Sequence, residues 1–284
     1  MNKTRKIGIS TEADYITREN FASYRENGID VFELCFEEEK LYLELDFKKV
    51  VNDANAEGVE AWSYHLPYYY FEHSIISEKD EEMRKAAVRD KSEWIKKAAD
   101  AGFKYAVLHP SLEPILDIDR PFCMNSAKQS IKELSEVAKK SGMILAVENL
   151  PRTCLGKTSD EMLDLVSMAP DARFCLDINH PLLEEPSEFL RKIKDRVVTM
   201  HISDYDFVNE RHWMPGEGKI DWKRVMDILD EINYNGAMIY EVPRGRLVID
   251  TIKRERDLEP GDYRRNADEL HQRLELTKLG EILV

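Results

Sequence analysis

NSAKQSIKELSEVAKKSGMILAVEN, residues 125–149, carries the pattern that decides the fold. Asn125–Ser141 has helical periodicity, and Gly142 stands where a left-handed residue closes a helix. Met143-Ile144-Leu145-Ala146-Val147 is then a short apolar run of strand type that ends on Glu148-Asn149. Glutamate is depleted in strands, and a carboxylate closing a buried run is costly unless something pairs with it.

The same unit recurs along the chain. Strand candidates are Ile7–Ser10, Val31–Leu34, Ala61–His65, Tyr105–His109, Leu145–Glu148, Arg173–Asp177, Val197–His201 and Met238–Glu241. Helical segments lie between them, Asp80–Ala101 and Asn125–Ser141 being the clearest. Gly28, Gly58, Gly102 and Gly142 each follow a helical pattern and precede a strand. Thr158 with Glu161 fits a capping box. Strand–helix alternation means a parallel sheet, and eight repeats in 284 residues have the size and rhythm of a (β/α)8 TIM barrel, an α/β fold. With no linker or composition shift, residues 1–284 are expected to form one domain. A doubly wound sheet would want a glycine-rich phosphate turn after the first strand, and Ser10-Thr11-Glu12-Ala13-Asp14 is not one.

Composition narrows the function. Hydrophobic residues at 43% and charged residues at 34% suit a soluble chain with a substantial core. Lys and Arg number 41 against 55 acids, a formal net charge of −14, which weighs against nucleic-acid and membrane partners. Cys35, Cys123, Cys154 and Cys175 form no CxxC pair and read as reduced thiols. The apolar stretch after the basic N-terminus is too short for a signal peptide, so a cytoplasmic location is expected.

The functional signal is position. Residues at the C-terminal ends of barrel strands face a shared site, and here those ends carry Glu33, His65, His109, Glu148, Asp177, His201 and Glu241, with His180 and Asp204 just beyond. Four of the seven histidines fall on or just past strand ends, His212 lies in the loop after strand seven, and only His73 and His271 fall elsewhere. Each alone is an ordinary rim residue. Converging on one cavity, Glu148, Asp177 and Glu241 would repel one another unless a cation sat among them and His201. This mixed, oxygen-rich set suits one divalent ion, Mn²⁺, Mg²⁺, Co²⁺ or Zn²⁺, and without a thiolate it does not suggest a structural zinc site.

Val147-Glu148-Asn149, Leu176-Asp177-Ile178-Asn179-His180 and Met200-His201-Ile202-Ser203-Asp204 close three consecutive strands. Pro215-Gly216-Glu217-Gly218-Lys219-Ile220-Asp221-Trp222 and Tyr240-Glu241 follow. In this order and spacing they resemble the xylose isomerase-like TIM barrels, a broad group of sugar and sugar-phosphate isomerases and epimerases, over nearly the whole chain. The resemblance to its ketose 3-epimerase branch implies one metal ion on Glu148, Asp177, His201 and Glu241, with His180 touching substrate. Several epimerases place a substrate-binding arginine where this chain has Phe207. The superfamily also holds the type-IV AP endonucleases with three zinc ions. Their extra ligands would fall on His65, His109, His180 and His212, with Glu210 where aspartate is usual.

The resemblance implies isomerisation or epimerisation next to a carbonyl of a small sugar-like substrate. A metal would stabilise the enediolate while Glu148 and Glu241, on opposite faces, take and return the proton. Glu33, His65, Tyr64 and His109 would line the sugar, and Trp213 in a mobile loop would cover it. Arg152, Arg211, Arg244 and Arg246 would bind a phosphate or carboxylate, or else be solvated loop charges. The alternatives are a dehydratase or lyase acting on an inositol- or shikimate-like ring, and a sugar-sensing barrel without turnover. A homo-oligomer stays open.

Overall fold

The computed structural model describes residues 5–11, 15–35, 43–68, 75–245 and 252–282. Its centre is a closed barrel of eight strands in sequential order. They are β1 (Ile7–Thr11), β2 (Val31–Leu34), β3 (Glu60–His65), β4 (Tyr105–Leu108), β5 (Ile144–Glu148), β6 (Arg173–Asp177), β7 (Val197–Ile202) and β8 (Met238–Tyr240). β1 pairs in parallel with both β2 and β8, which closes the ring. Parallel neighbours need a long crossover. Helices supply it: α1 (Arg18–Glu26), α2 (Phe47–Ala56), α3 (Glu81–Ala101), α4 (Arg120–Lys140), α5 (Ser159–Leu165), α6 (Pro186–Ile193) and α7 (Trp222–Glu231), with α8 (Pro260–Gln272) after β8. A short antiparallel pair, β9 (Ile252–Arg254) and β10 (Gly280–Ile282), lies outside the barrel. Among the described residues no helix is long and apolar enough to cross a membrane.

The strands agree with the sequence reading to within a residue or so at each end. β4 and β8 stop one residue earlier than expected, so His109 and Glu241 stand just past the sheet. Gly102 closes α3 in the left-handed region at φ 108°, and Gly142 follows α4 at φ 82°. The helix expected from Asn125 begins at Arg120 instead, because Pro121 is at home in a first turn that needs no amide hydrogen. Thr158 caps α5 by accepting from the Glu161 amide.

Period-two alternation sorts the strand residues into two cores. Outward residues pack under the helices, where the rings of Phe21 and Phe32 lie 4.9 Å apart and those of Phe47 and Tyr64 5.1 Å apart. Tyr64 is fully buried there, which removes it from the sugar-lining residues expected from the sequence. Its neighbour His65 points the other way. Inside the barrel, small apolar clusters of Val31, Trp62, Ala237 and Ile239, and of Val107, Ala146 and Cys175, fill the lower levels. Two residues further along the same strands come Glu33, Glu241, His109, Glu148 and Asp177.

The long connection after β7 is built on one side chain. Asp204 is fully buried and accepts from the amides of Tyr205 (2.8 Å), Gly216 (2.8 Å) and Ile220 (3.2 Å) and from Trp222 Nε1 (2.9 Å). Its backbone exchanges two hydrogen bonds with Trp213. Trp213 is therefore 2% exposed and tied in place, not the mobile cover expected from the sequence. A methyl at Gly218 would overlap Asp204 Oδ1 and the backbone N and O of Tyr205. Gly218→Ala is predicted to cost about 1–3 kcal/mol, read as a lower urea midpoint with unchanged slope. An unchanged midpoint would mean that the connection repacks freely and that Asp204 does not organise it.

Candidate functional site

At the end of β2, Glu33 is completely buried and accepts from Ser63 Oγ (2.6 Å) and Ser10 Oγ (3.2 Å). His201 Nε2, on β7, lies 3.0 Å from Glu33 Oε1. A carboxylate oxygen accepts, so Nε2 donates to Glu33 and Nδ1 is left to ligate once any proton on it is displaced. Glu33, expected to line the sugar, instead lies beneath His201 and orients it, because the register sets it below the open rim.

His201 Nδ1 faces Glu148 Oε1 at 3.4 Å, Glu241 Oε2 at 3.3 Å and Asp177 Oδ2 at 3.8 Å. His201 Nδ1, Asp177 Oδ2 and Glu241 Oε2 are buried, and none has a hydrogen-bond partner. Ligand atoms of all four residues lie within 4.8 Å of one another. Buried ligating atoms this close together and without hydrogen-bond partners fit a divalent cation at roughly 2.0–2.6 Å from each. The donor chemistry agrees with the set read from the strand ends.

Proton affinities follow from the same crowding. Burial raises Asp177 to about 7, the charges of Glu241 and Glu148 adding to it. Burial works to lower His201, yet Cys175, Glu33, Glu241 and Glu148 raise it well above the ordinary imidazole value. Burial would raise Glu148, but His201 and His109 hold it well below the usual carboxylate range. Without an ion, then, protons take over part of the work of separating these groups.

Two further triads flank this set. His65, His109 and Glu148 form one, with His65 Nε2 at 3.2 Å and His109 Nε2 at 3.3 Å from Glu148 Oε2. His180, Glu210 and His212 form the other, with His180 Nε2 at 3.2 Å from Glu210 Oε2. His65 Nδ1 donates to the Leu66 carbonyl, His180 Nδ1 to that of Asn149 and His212 Nδ1 to that of Glu241. A backbone carbonyl can only accept, so each Nδ1 carries a hydrogen and each Nε2 is turned into the site. There Glu148 faces that of His65 and Glu210 that of His180, carboxylates that outweigh burial and raise the proton affinity of both rings.

Asn149 joins the site from below, receiving the Asp177 amide at 2.8 Å and donating to the Asp177 carbonyl at 2.9 Å. Glu210, read from the sequence only as a departure from aspartate, sits inside the second triad. Its signal was the Glu210-Arg211-His212 run ahead of the Pro-Gly-Glu-Gly loop. Tyr68 was not singled out, yet its ring centroid lies 4.3 Å from that of His109 and 5.0 Å from that of His65. Cys175 also escaped notice, although period two places it inward one step below Asp177.

Other candidates are spent on the scaffold. Arg152 donates to Glu113, Asn209 and Glu210, so it braces the second triad rather than standing free for substrate. Arg211 donates to Asp206. Phe207, at φ 65°, packs its ring 4.8 Å from Tyr205 and offers no cation where several epimerases have one. His271 accepts from the Arg5 amide before β1, away from the mouth. His73 and Arg246 lie outside the described residues.

Comparison with known proteins agrees with this architecture. The family model for the xylose isomerase-like TIM barrel matches residues 21–271. An uncharacterized protein of Methanocaldococcus jannaschii is 26% identical over 236 residues, 80% of this chain and 89% of that protein. A D-psicose 3-epimerase of Ruminiclostridium cellulolyticum is 25% identical over 247 residues, 82% of this chain and 81% of that enzyme. The crystal structure of a D-tagatose 3-epimerase-like protein matches with a TM-score of 0.77 at 20% identity, over 94% of this chain and 97% of the other. At that identity the structural likeness speaks for the fold.

Glu33→Gln is predicted to lower affinity for Mn²⁺ about ten- to hundredfold, the usual effect of losing the partner that orients a ligating histidine. Affinity should also rise with pH through about 7, because Asp177 sheds its proton there and a bound proton competes with the ion. Calorimetric titration across that range checks both. Unchanged affinity in the variant, or a flat pH profile, would remove Glu33 and Asp177 from the account.

Proposed function

We propose that this chain, which belongs to the xylose isomerase-like TIM barrel family, is a metal-dependent isomerase or epimerase of a small sugar or related carbonyl compound. The observation that carries the reading is the pair of carboxylates, Glu148 and Glu241, that both approach His201 Nδ1, at 3.4 and 3.3 Å. A divalent ion held by Glu148, Asp177, His201 and Glu241 would supply a fixed positive charge beside the carbonyl and its neighbouring hydroxyl, where anionic charge grows as the α-proton leaves.

The chain's own groups do the rest. One of the two glutamates takes the α-proton and the other returns one from the opposite face. His180, held by the Asn149 carbonyl at 2.7 Å, offers Nε2 to a substrate hydroxyl. His65 and His109, with Tyr68 packed against both, form the wall on the β3–β4 side. Similarity to a D-psicose 3-epimerase supports sugar chemistry. The net charge of −14 supports a small-molecule substrate over nucleic acid, and the four free cysteines fit a reducing, cytoplasmic setting.

The flanking triads support a second reading, a three-ion centre that hydrolyses phosphodiesters as in the type-IV AP endonucleases. Ion content separates the two: elemental analysis of reconstituted protein should give one tightly held ion, and three with cleavage of abasic DNA would reverse the assignment.

Incubated in D2O with a panel of ketoses and aldoses, the metal-loaded protein should introduce deuterium at the carbon next to the carbonyl, detected by NMR. Glu148→Gln and Glu241→Gln should each reduce turnover by about 10²–10⁴-fold. The double variant should be little worse than the weaker single, because the two groups serve successive steps of one reaction. Wild-type turnover by both variants with metal retained would rule out the two-carboxylate mechanism.

A further inference from the structure

The arginines around the barrel mouth are not equivalent. Arg152 is matched by Glu113 and Glu210, and Arg211 by Asp206 at 2.9 Å. Arg244 has no such match. It lies in the loop after β8, three residues past Glu241, and is 8% exposed. Its Nε donates to the Leu258 carbonyl at 3.3 Å, and its Nη1 is buried with no hydrogen-bond partner. Among the described residues the acid within 4 Å is Glu259, 3.8 Å from Nη2 and beyond hydrogen-bond reach, its own side chain 68% exposed.

A guanidinium taken out of water and given one carbonyl is costly, and the cost is relieved when an anion completes its donors. The surroundings hold the group ready for one. Its central carbon lies 3.9 Å from the centroid of the Tyr15 ring, in the loop after β1. The ring covers one face of the fork, so one carbonyl and one aromatic face hold the guanidinium while Nη1 stays without a partner. The pair bridges the seam where β8 meets β1. Three residues of chain span at most about 11 Å, which keeps Arg244 within a small sugar derivative's length of the loop position of Glu241. In barrels of this kind the loops after the last two strands are frequent phosphate sites.

We propose that Arg244, backed by Tyr15, is a subsite for an anionic group on the substrate, a phosphate or a carboxylate. Resting on the isomerase or epimerase reading, this assigns the substrate class: sugar phosphates or sugar acids in preference to neutral sugars. The two anions share the same chemistry, acceptor oxygens set to take two parallel N–H bonds from one guanidinium edge.

Calorimetry on the metal-loaded protein tests it, with D-fructose, D-fructose 6-phosphate, D-galactose, D-galacturonate and inorganic phosphate as probes. The anionic member of at least one pair should bind on the order of ten- to hundredfold more tightly than its neutral partner. Arg244→Gln should bring that ratio close to one, and Arg244→Lys, which keeps charge without the fork, should retain part of it. Circular dichroism and Tm control for folding. Should Arg244→Gln not fold, competition on the wild-type protein decides: inorganic phosphate should displace D-fructose 6-phosphate and leave D-fructose binding unchanged. A preference for D-galacturonate alone assigns the carboxylate, and one for D-fructose 6-phosphate the phosphate. Equal binding of charged and neutral partners, or a ratio unchanged in Arg244→Gln, overturns the proposal. α-Proton exchange without anion preference removes the subsite and leaves the enzyme reading standing. Anion binding through Arg244 without exchange of any sugar does the reverse.

Discussion

Asp177 Oδ2, His201 Nδ1 and Glu241 Oε2 lie together inside the barrel mouth, each buried and without a hydrogen-bond partner. Mutual repulsion among buried acceptors is the constraint to which the rest of the structure answers. They could not stay together on mobile side chains, and each is held from behind. Glu33 grips the far nitrogen of His201, and Asn149 clamps the backbone of Asp177 by its own amide. The apolar levels of Val107, Ala146 and Cys175 close the barrel below, keeping water from dispersing the charge. The barrel serves as a frame that keeps incompatible groups close.

Much of this was legible in the sequence because two periodicities are simple. A strand alternates every second residue, so an apolar run that ends on Glu148 or Asp177 announces which side chain faces the mouth. The barrel then gathers all such ends on one rim, so spacing pointed to the three carboxylates and a histidine, and the resemblance to the epimerase branch singled out His201. What stayed hidden depends on contacts across strands. Nothing in Val31-Phe32-Glu33 says that Glu33 will lie under His201, because that follows from register around the ring. Tyr64 was misplaced by one step of alternation, which sends it under the helices beside Phe47. Trp213 looked like a lid because its loop is long, and only the fan of hydrogen bonds on Asp204 reveals that the loop is anchored.

The arginines teach the same lesson. Read along the chain, Arg152, Arg211 and Arg244 are three loop cations with equal claims on a substrate. Acids match two of them: Arg211 meets Asp206 within its own connection, whereas Arg152 meets Glu113 and Glu210 on other loops, remote in sequence. The outcome turns on which loops adjoin, a property of the closed ring rather than of any local motif.

The connection carrying Glu210 and His212 is fastened at two depths. Asp204 organises its near end, and Glu217 accepts from the Met214 amide (2.8 Å), from Arg254 Nη2 (3.1 Å) and from the Leu279 amide (3.1 Å). That last bond joins residues far apart in the chain, so order of synthesis matters. While the polypeptide is being made, all eight strands can emerge and begin to pair while the anchor for this loop is still inside the ribosome. A nascent chain that stops short of Leu279 therefore carries the acceptors without the loop's final fastening. The loop that carries Glu210 and His212 is thus fastened last, after the strands of the barrel have had the chance to pair.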